Sequence, residues 1–239
     1  SLELSNNQLS GSIPPEIGNL INLTVLYLHN NQLTGSIPSE IGQLTAINNL
    51  SLANNELTGS IPTEIGGLTA ITYLDLAINQ LSGSLPSELY TLITLDGLNL
   101  SSNLLEGTLH SNISEMEALS WINLNDNQIS GISSGIGSLP NLYSLELNNN
   151  SITNLGNAFD NVSTSLQHIY LDNNQIGNIP SDIDNMVNLA TLSMNNNNLT
   201  SIPEKIFELD DIQNLNFQEN SIASLPDIDP GDLPYLNNL

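Results

Sequence analysis

Leu23-Thr-Val-Leu26-Tyr-Leu28-His-Asn-Asn31-Gln-Leu33-Thr-Gly35-Ser-Ile37-Pro38 decides the fold, because its pattern returns about every 24 residues along the 239-residue chain. Its asparagine recurs at Asn7, Asn55, Asn79, Asn103, Asn127, Asn150, Asn174, Asn197 and Asn220. Self-similarity at a period of this size marks a solenoid, with one supersecondary unit per repeat. The alternation Leu26-x-Leu28 turns two apolar side chains to one face of a short strand and the residues between them to the other. The asparagine that follows fits a buried turn, where a short amide satisfies backbone donors and acceptors that a loop would leave unpaired. Leu33 and Ile37 close the core from the far side, so no repeat buries its apolar face without neighbours.

The motif L-x-x-L-x-L-x-x-N-x-L resembles that of leucine-rich repeat proteins and covers the chain from one end to the other. The repeats that start at Leu23, Ile47, Ile71 and Leu95, with a partial one before them, carry Gly11, Gly35, Gly59, Gly83 and Gly107. Their L-x-G-x-I-P segment resembles the plant-specific class, seen in receptor-kinase ectodomains and polygalacturonase-inhibiting proteins. Repeats starting at Leu119, Leu166 and Leu189 shorten to 23 residues, with Asn178 and Ser201 in place of the glycine in the last two, and resemble the typical class. The resemblance implies an α/β solenoid: a right-handed superhelix with a parallel β-sheet on the concave face, short second strands, and 3₁₀ or helical turns on the convex side. Pro38-Ser39-Glu40-Ile41 fits such a turn independently, since proline is tolerated in a first helical turn and an acid is favourable there. The repeat at Leu142 is irregular, with Asn154 to Phe159 replacing the I-P turn, and is a candidate bend. The repeat overrides a globular-domain prior and predicts one domain of about ten repeats over residues 1–239, broken in mid-repeat at both ends and expected to be a monomeric piece of a longer chain.

One basic residue, Lys205, stands against 25 acidic ones, for a formal net charge of -24. Such a surface offers neither phosphate neutralisation nor a polybasic patch, so nucleic acid and anionic membranes are excluded as partners. A deficit of cations this deep suits a halophilic or marine setting, where salt screens self-repulsion. The chain has no cysteine, hence no disulfide and no thiol chemistry.

The outward strand positions form columns. One runs Val25, Asn49, Tyr73, Gly97, Trp121, Ser144, His168, Thr191; the next runs Glu3, Tyr27, Ser51, Asp75, Asn99, Asn123, Glu146, Tyr170, Ser193. Tyr143 lies just ahead of its strand. Tyr27, Tyr73, Trp121, Tyr143, His168 and Tyr170, interleaved with Asp75, Asp96, Asp126, Glu146 and Asp172, make a stripe of aromatic anchors and acceptors. Aromatic rings with a polar handle are common hot spots of recognition surfaces. Strands also favour tyrosine and tryptophan for packing reasons alone, so the distribution leaves both readings open. The acids point to a cationic peptide, a basic patch of a protein, or a glycan bridged by calcium.

Catalysis has little support. His29 and His168 are several repeats apart and cannot share a metal or a proton relay; no serine has a plausible base beside it, and the glycines recur with the repeat rather than forming a phosphate loop. Sequons at Asn22, Asn49, Asn99, Asn112, Asn149, Asn161 and Asn198 are no more than the asparagine content produces by chance. Asp227, Asp229 and Asp232 could give calcium oxygen ligands, yet their spacing matches no EF-hand loop. Ser10 and Ser12, Thr34 and Ser36, Thr58 and Ser60, and Ser82 and Ser84 form hydroxyl ranks beside the glycine turns. The sequence thus predicts a non-enzymatic, extracellular or cell-surface recognition module for a peptide, protein or glycan. The alternative is a surface-adsorbing or adhesin-type module that uses the hydroxyl ranks on ice or polysaccharide.

Overall fold

The structure, a computed structural model, describes residues 1–160, 164–181 and 183–226. Asn161, the acidic residues Asp227, Asp229 and Asp232, and the strand motif Leu236-Asn-Asn-Leu239 lie outside them. The chain divides into two compact units: residues 1–107 with 115–127, and residues 108–114 with 128–239.

In the first unit, each repeat contributes a short strand exactly where leucines alternate with outward residues: β1 (Leu2–Glu3), β3 (Val25–Tyr27), β5 (Asn49–Ser51), β7 (Tyr73–Asp75), β9 (Gly97–Asn99) and β11 (Trp121–Asn123). They pair in parallel in that order, each register stepping by one repeat. The inward column Leu26, Leu50, Leu74, Leu98 and Ile122 is fully buried. Second strands follow: β2 (Ser10–Ser12), β4 (Gln32–Gly35), β6 (Glu56–Gly59), β8 (Gln80–Ser84) and β10 (Leu104–Leu109), also parallel. Gly35 has φ +76°, a left-handed backbone that glycine enters without a Cβ penalty, which accounts for the conserved spacing of that residue through the repeats. Proline at φ near -70° then leads into 3₁₀ turns such as Ser39–Gln43 and Thr63–Gly67. These turns stack so closely that a Cβ on Gly42 would stand 2.1 Å from the Glu64 carbonyl oxygen.

The asparagine ladder holds the turns. The Asn103 side-chain amide donates to the Leu76 and Leu100 carbonyls at 3.0 and 3.1 Å, while its oxygen accepts the Leu81 N–H at 3.0 Å. Asn55 and Asn127 repeat the arrangement with Leu28, Leu52 and Leu33, and with Leu100, Leu124 and Leu105. Each buried amide therefore ties its own coil to the preceding one, satisfying turn groups of both.

The second unit follows the same plan with β12 (Gln128–Ile132) and the parallel set β13 (Ser144–Glu146), β14 (His168–Tyr170), β15 (Thr191–Ser193) and β16 (Asn214–Asn216). After β12 no second strand forms among the described residues, in step with the loss of the glycine at Asn178 and Ser201. In the irregular repeat, Leu155, Ala158 and Phe159 are buried where the I-P turn stands elsewhere. Asn174 and Asn197 continue the ladder, bonding the Leu147 and Leu171 carbonyls at 2.9 Å each.

Candidate functional site

The pleat that buries the leucines turns Tyr27, Ser51 and Asp75 outward, and the register sets them side by side on β3, β5 and β7. Tyr73 stands two residues before Asp75 on the same face. Because Ser51 at the end of β5 and Ala53 just after it are small, they form a floor, with Tyr27 and His29 rising on one side and Tyr73 and Asp75 on the other. The resulting hollow measures about 420 Å³ and is rimmed by Asn30, Asn54 and Ile78.

Its polar groups are partly used. Ser51 Oγ donates to Asp75 Oδ2 at 3.2 Å and the Ala77 N–H to Oδ1 at 3.2 Å. Burial pushes the Asp75 carboxyl above its ordinary range, opposed by those two bonds, by the charge of His29 and by the Tyr73 hydroxyl. Burial likewise raises Tyr73, helped by the Asp75 charge beside it. His29 packs edge-on against Tyr27, ring centroids 5.6 Å apart, and its Nδ1 is buried without a hydrogen-bond partner.

Trp121 joins this face through a glycine. Tyr73, Gly97 and Trp121 are register partners on β7, β9 and β11. With no side chain between them, the two rings close to 6.1 Å, and Trp121 Nε1 lies 2.7 Å from where a Gly97 Cβ would stand. Tyr27, Tyr73, Asp75 and Trp121 thus belong to one surface. Asp96 and Asp126 do not intersperse with the rings. Asp96 is exposed just before β9. Asp126 is exposed in the turn after β11, at φ +56°, in the column of Asn30 and Asn54.

In the second unit, Glu146 and Tyr170 are register partners, and His168 stacks on Tyr170 with centroids 6.4 Å apart. Burial, then the Glu146 charge, raises the Tyr170 hydroxyl above its ordinary value. Asp172 accepts Ser193 Oγ at 2.8 Å and the Asn195 N–H at 2.7 Å, so it braces the next coil. Tyr143 is 45% exposed ahead of β13.

Sequence reasoning did not place His29, Ile78 or the role of Gly97 in the site. The signal for Ile78 was legible: it occupies the position that reads Asn6, Asn30 and Asn54 in the earlier repeats. Ten residues of this series have positive φ, and Ile78, at +54° and 53% exposed, is the one that is β-branched. That is a strained conformation at the rim of the hollow.

Among the described residues, no three histidine, aspartate or glutamate side chains group where a metal could be held, and no helix is long and apolar enough to cross a membrane. Lys205 bonds Asp184 Oδ2 at 2.7 Å. The leucine rich repeat profile matches residues 21–81 and 117–176, with related profiles over residues 164–210 and 1–20. The chain belongs to the leucine-rich repeat family.

No curated protein matches this leucine-rich repeat chain. Among solved structures it is similar to a TDR receptor, at 26% identity and TM-score 0.74 over 99% of this chain and 46% of that one. It is similar to a plant peptide hormone receptor, RGFR1, in complex with RGF2, at 29% identity and TM-score 0.63 over 92% of this chain and 43% of that one. A plant ice-binding protein matches at 28% identity and TM-score 0.67, over 99% of this chain and 83% of that one. The chain spans less than half the length of the two receptor chains.

Proposed function

We propose that the chain is a non-enzymatic recognition module that binds a peptide, or an extended segment of a protein, on the outward face of β3 to β11. The observation that carries this reading is the hollow between Tyr27 and Tyr73, continued by Trp121 lying across Gly97. Rigid rings with polar tips give contact area at low entropy cost, and the small side chains of Ser51 and Ala53 leave room for a ligand side chain. The likeness to a peptide hormone receptor supports the ligand class, and extracellular or cell-surface placement goes with it. Nucleic acid and anionic membranes remain disfavoured by the charge. Selection of displayed random peptides on the protein, counter-selected on a Tyr73→Ala/Trp121→Ala variant, tests it. Sequences should enrich on the parent alone; equal enrichment on both would place binding elsewhere.

The second reading, adsorption to ice or a polysaccharide lattice, is favoured by the second strands. Ser12, Thr34, Ser36, Thr58, Ser60 and Ser84 are exposed in regular ranks, and the plant ice-binding protein is similar over most of its own length. Thermal hysteresis in the parent that is lost in Thr34→Leu/Thr58→Leu but kept in the Tyr73→Ala/Trp121→Ala variant would select it.

A further inference from the structure

The hollow of the first unit has a chemistry more specific than a general aromatic surface. A carboxylate is set into it, drawn out of water by the rings and strands around it; Ser51 Oγ donates to one oxygen, the Ala77 N–H to the other, and the Tyr73 hydroxyl interacts with it as well. A carboxylate oxygen has room for a further donor. No lysine or arginine occurs in residues 1–204, and the basic side chain whose charge reaches Asp75 is His29, on the far wall of the hollow. Two tyrosines flank the carboxylate, Tyr27 across Ser51 and Tyr73 on its own strand. Electron-rich ring faces beside an acid, around a cavity of about 420 Å³, attract a cation that has an apolar stem.

Ile78 supplies the wall for that stem. Its exposed side chain stands at the rim although its backbone is held in the left-handed region, where its counterparts Asn30 and Asn54 are at home. Those two asparagines also bond to one another side chain to side chain, a rung that Ile78 gives up. Strain of this kind at a cavity mouth marks a position kept for something other than stability.

We infer that this hollow is a subsite for one arginine or lysine side chain of the ligand, its cationic head on Asp75 between Tyr27 and Tyr73 and its methylenes along Ile78. The inference rests on the recognition reading above and names the residue type that the face reads. A guanidinium fits better than an ammonium, because its flat fork can donate to both Asp75 oxygens while stacking on a ring.

The test uses small probes in place of the unknown ligand. Nα-acetyl-arginine amide, the lysine analogue and the neutral isostere acetyl-citrulline amide are titrated into the protein at about pH 8, and shifts of the Tyr27, Tyr73 and His29 ring signals are followed by NMR. Both cationic probes should move these signals saturably, and citrulline should bind at least about tenfold more weakly. Asp75→Asn should erase the difference between arginine and citrulline. Tyr73→Leu, which keeps the carboxylate, should weaken arginine several-fold, and it reports even if the first variant is poorly folded. Equal shifts with citrulline, or arginine binding unchanged in Asp75→Asn, would overturn the cation subsite while leaving peptide recognition standing. Silence of all probes at these rings would also overturn it, and peptide selection on the parent would then show whether the wider face still binds.

Discussion

The Trp121 indole nitrogen lies 2.7 Å from the point a Gly97 Cβ would occupy, so an absent side chain on β9 seats the ring carried by β11. The nearest Tyr73 atom is 3.1 Å from the same point, so an added methyl meets side chains rather than backbone. Gly97→Ala should therefore cost within about 1 kcal/mol of stability while shifting Trp121 fluorescence and weakening ligand binding. Gly42→Ala meets backbone, the Glu64 carbonyl at 2.1 Å, and should cost about 2–3 kcal/mol with no change in Trp121 emission. Urea unfolding followed by circular dichroism, together with emission spectra, separates the two; equal costs would mean Trp121 is locked in the core.

Ile78→Asn should raise stability by about 1 kcal/mol, since asparagine tolerates the φ of +54° and can rejoin the side-chain rung from Asn54. The same change should weaken the ligand. A variant both less stable and equally tight would remove the trade of stability for binding at this rim.

Asn103→Ala removes hydrogen bonds to Leu76, Leu100, Ser101 and Leu81 in a buried turn and should cost about 2–4 kcal/mol. Asn30→Ala touches an exposed rung and should cost no more than about 1 kcal/mol beyond its left-handed backbone preference. Comparable losses in chemical denaturation would contradict the ladder as the tie between coils.

Asp75 is pushed up from 3.8 by burial, so the sign of its pH effect is fixed. Between that value and the raised one, the folded chain holds more protons than the unfolded chain, and stability falls as pH climbs through the window. Above it the loss is level. Relative to Asp75→Asn, the parent should lose stability as pH rises from about 3.5 through the range just above 3.8, and then run parallel. A gap that is constant from about pH 3.5 to about pH 7 would mean the carboxylate is as well solvated folded as unfolded.

The period, the ladder and the outward columns were legible because each depends on local alternation repeated at a fixed spacing. The register confirms both columns residue by residue within each unit. The site was legible only in part. Tyr27, Tyr73, Asp75 and Trp121 stand in columns readable from the alternation, whereas Asp96 precedes β9 and Asp126 follows β11, positions that alternation within a three-residue strand does not reach. Gly97 escaped notice because its contribution is a space, which becomes visible only once the flanking rings are seen to close over it. His29 was weighed as a metal ligand and found wanting, whereas its place is the wall beside Tyr27.

The most direct measurement is a fluorescence titration of Trp121, the only tryptophan, with a peptide selected on the parent protein. Its emission should change saturably on binding, and the affinity should fall at least about tenfold in both Tyr73→Ala and Asp75→Asn. A peptide that binds with unchanged affinity to both variants and leaves Trp121 emission untouched would show that this face is not where the chain meets its ligand.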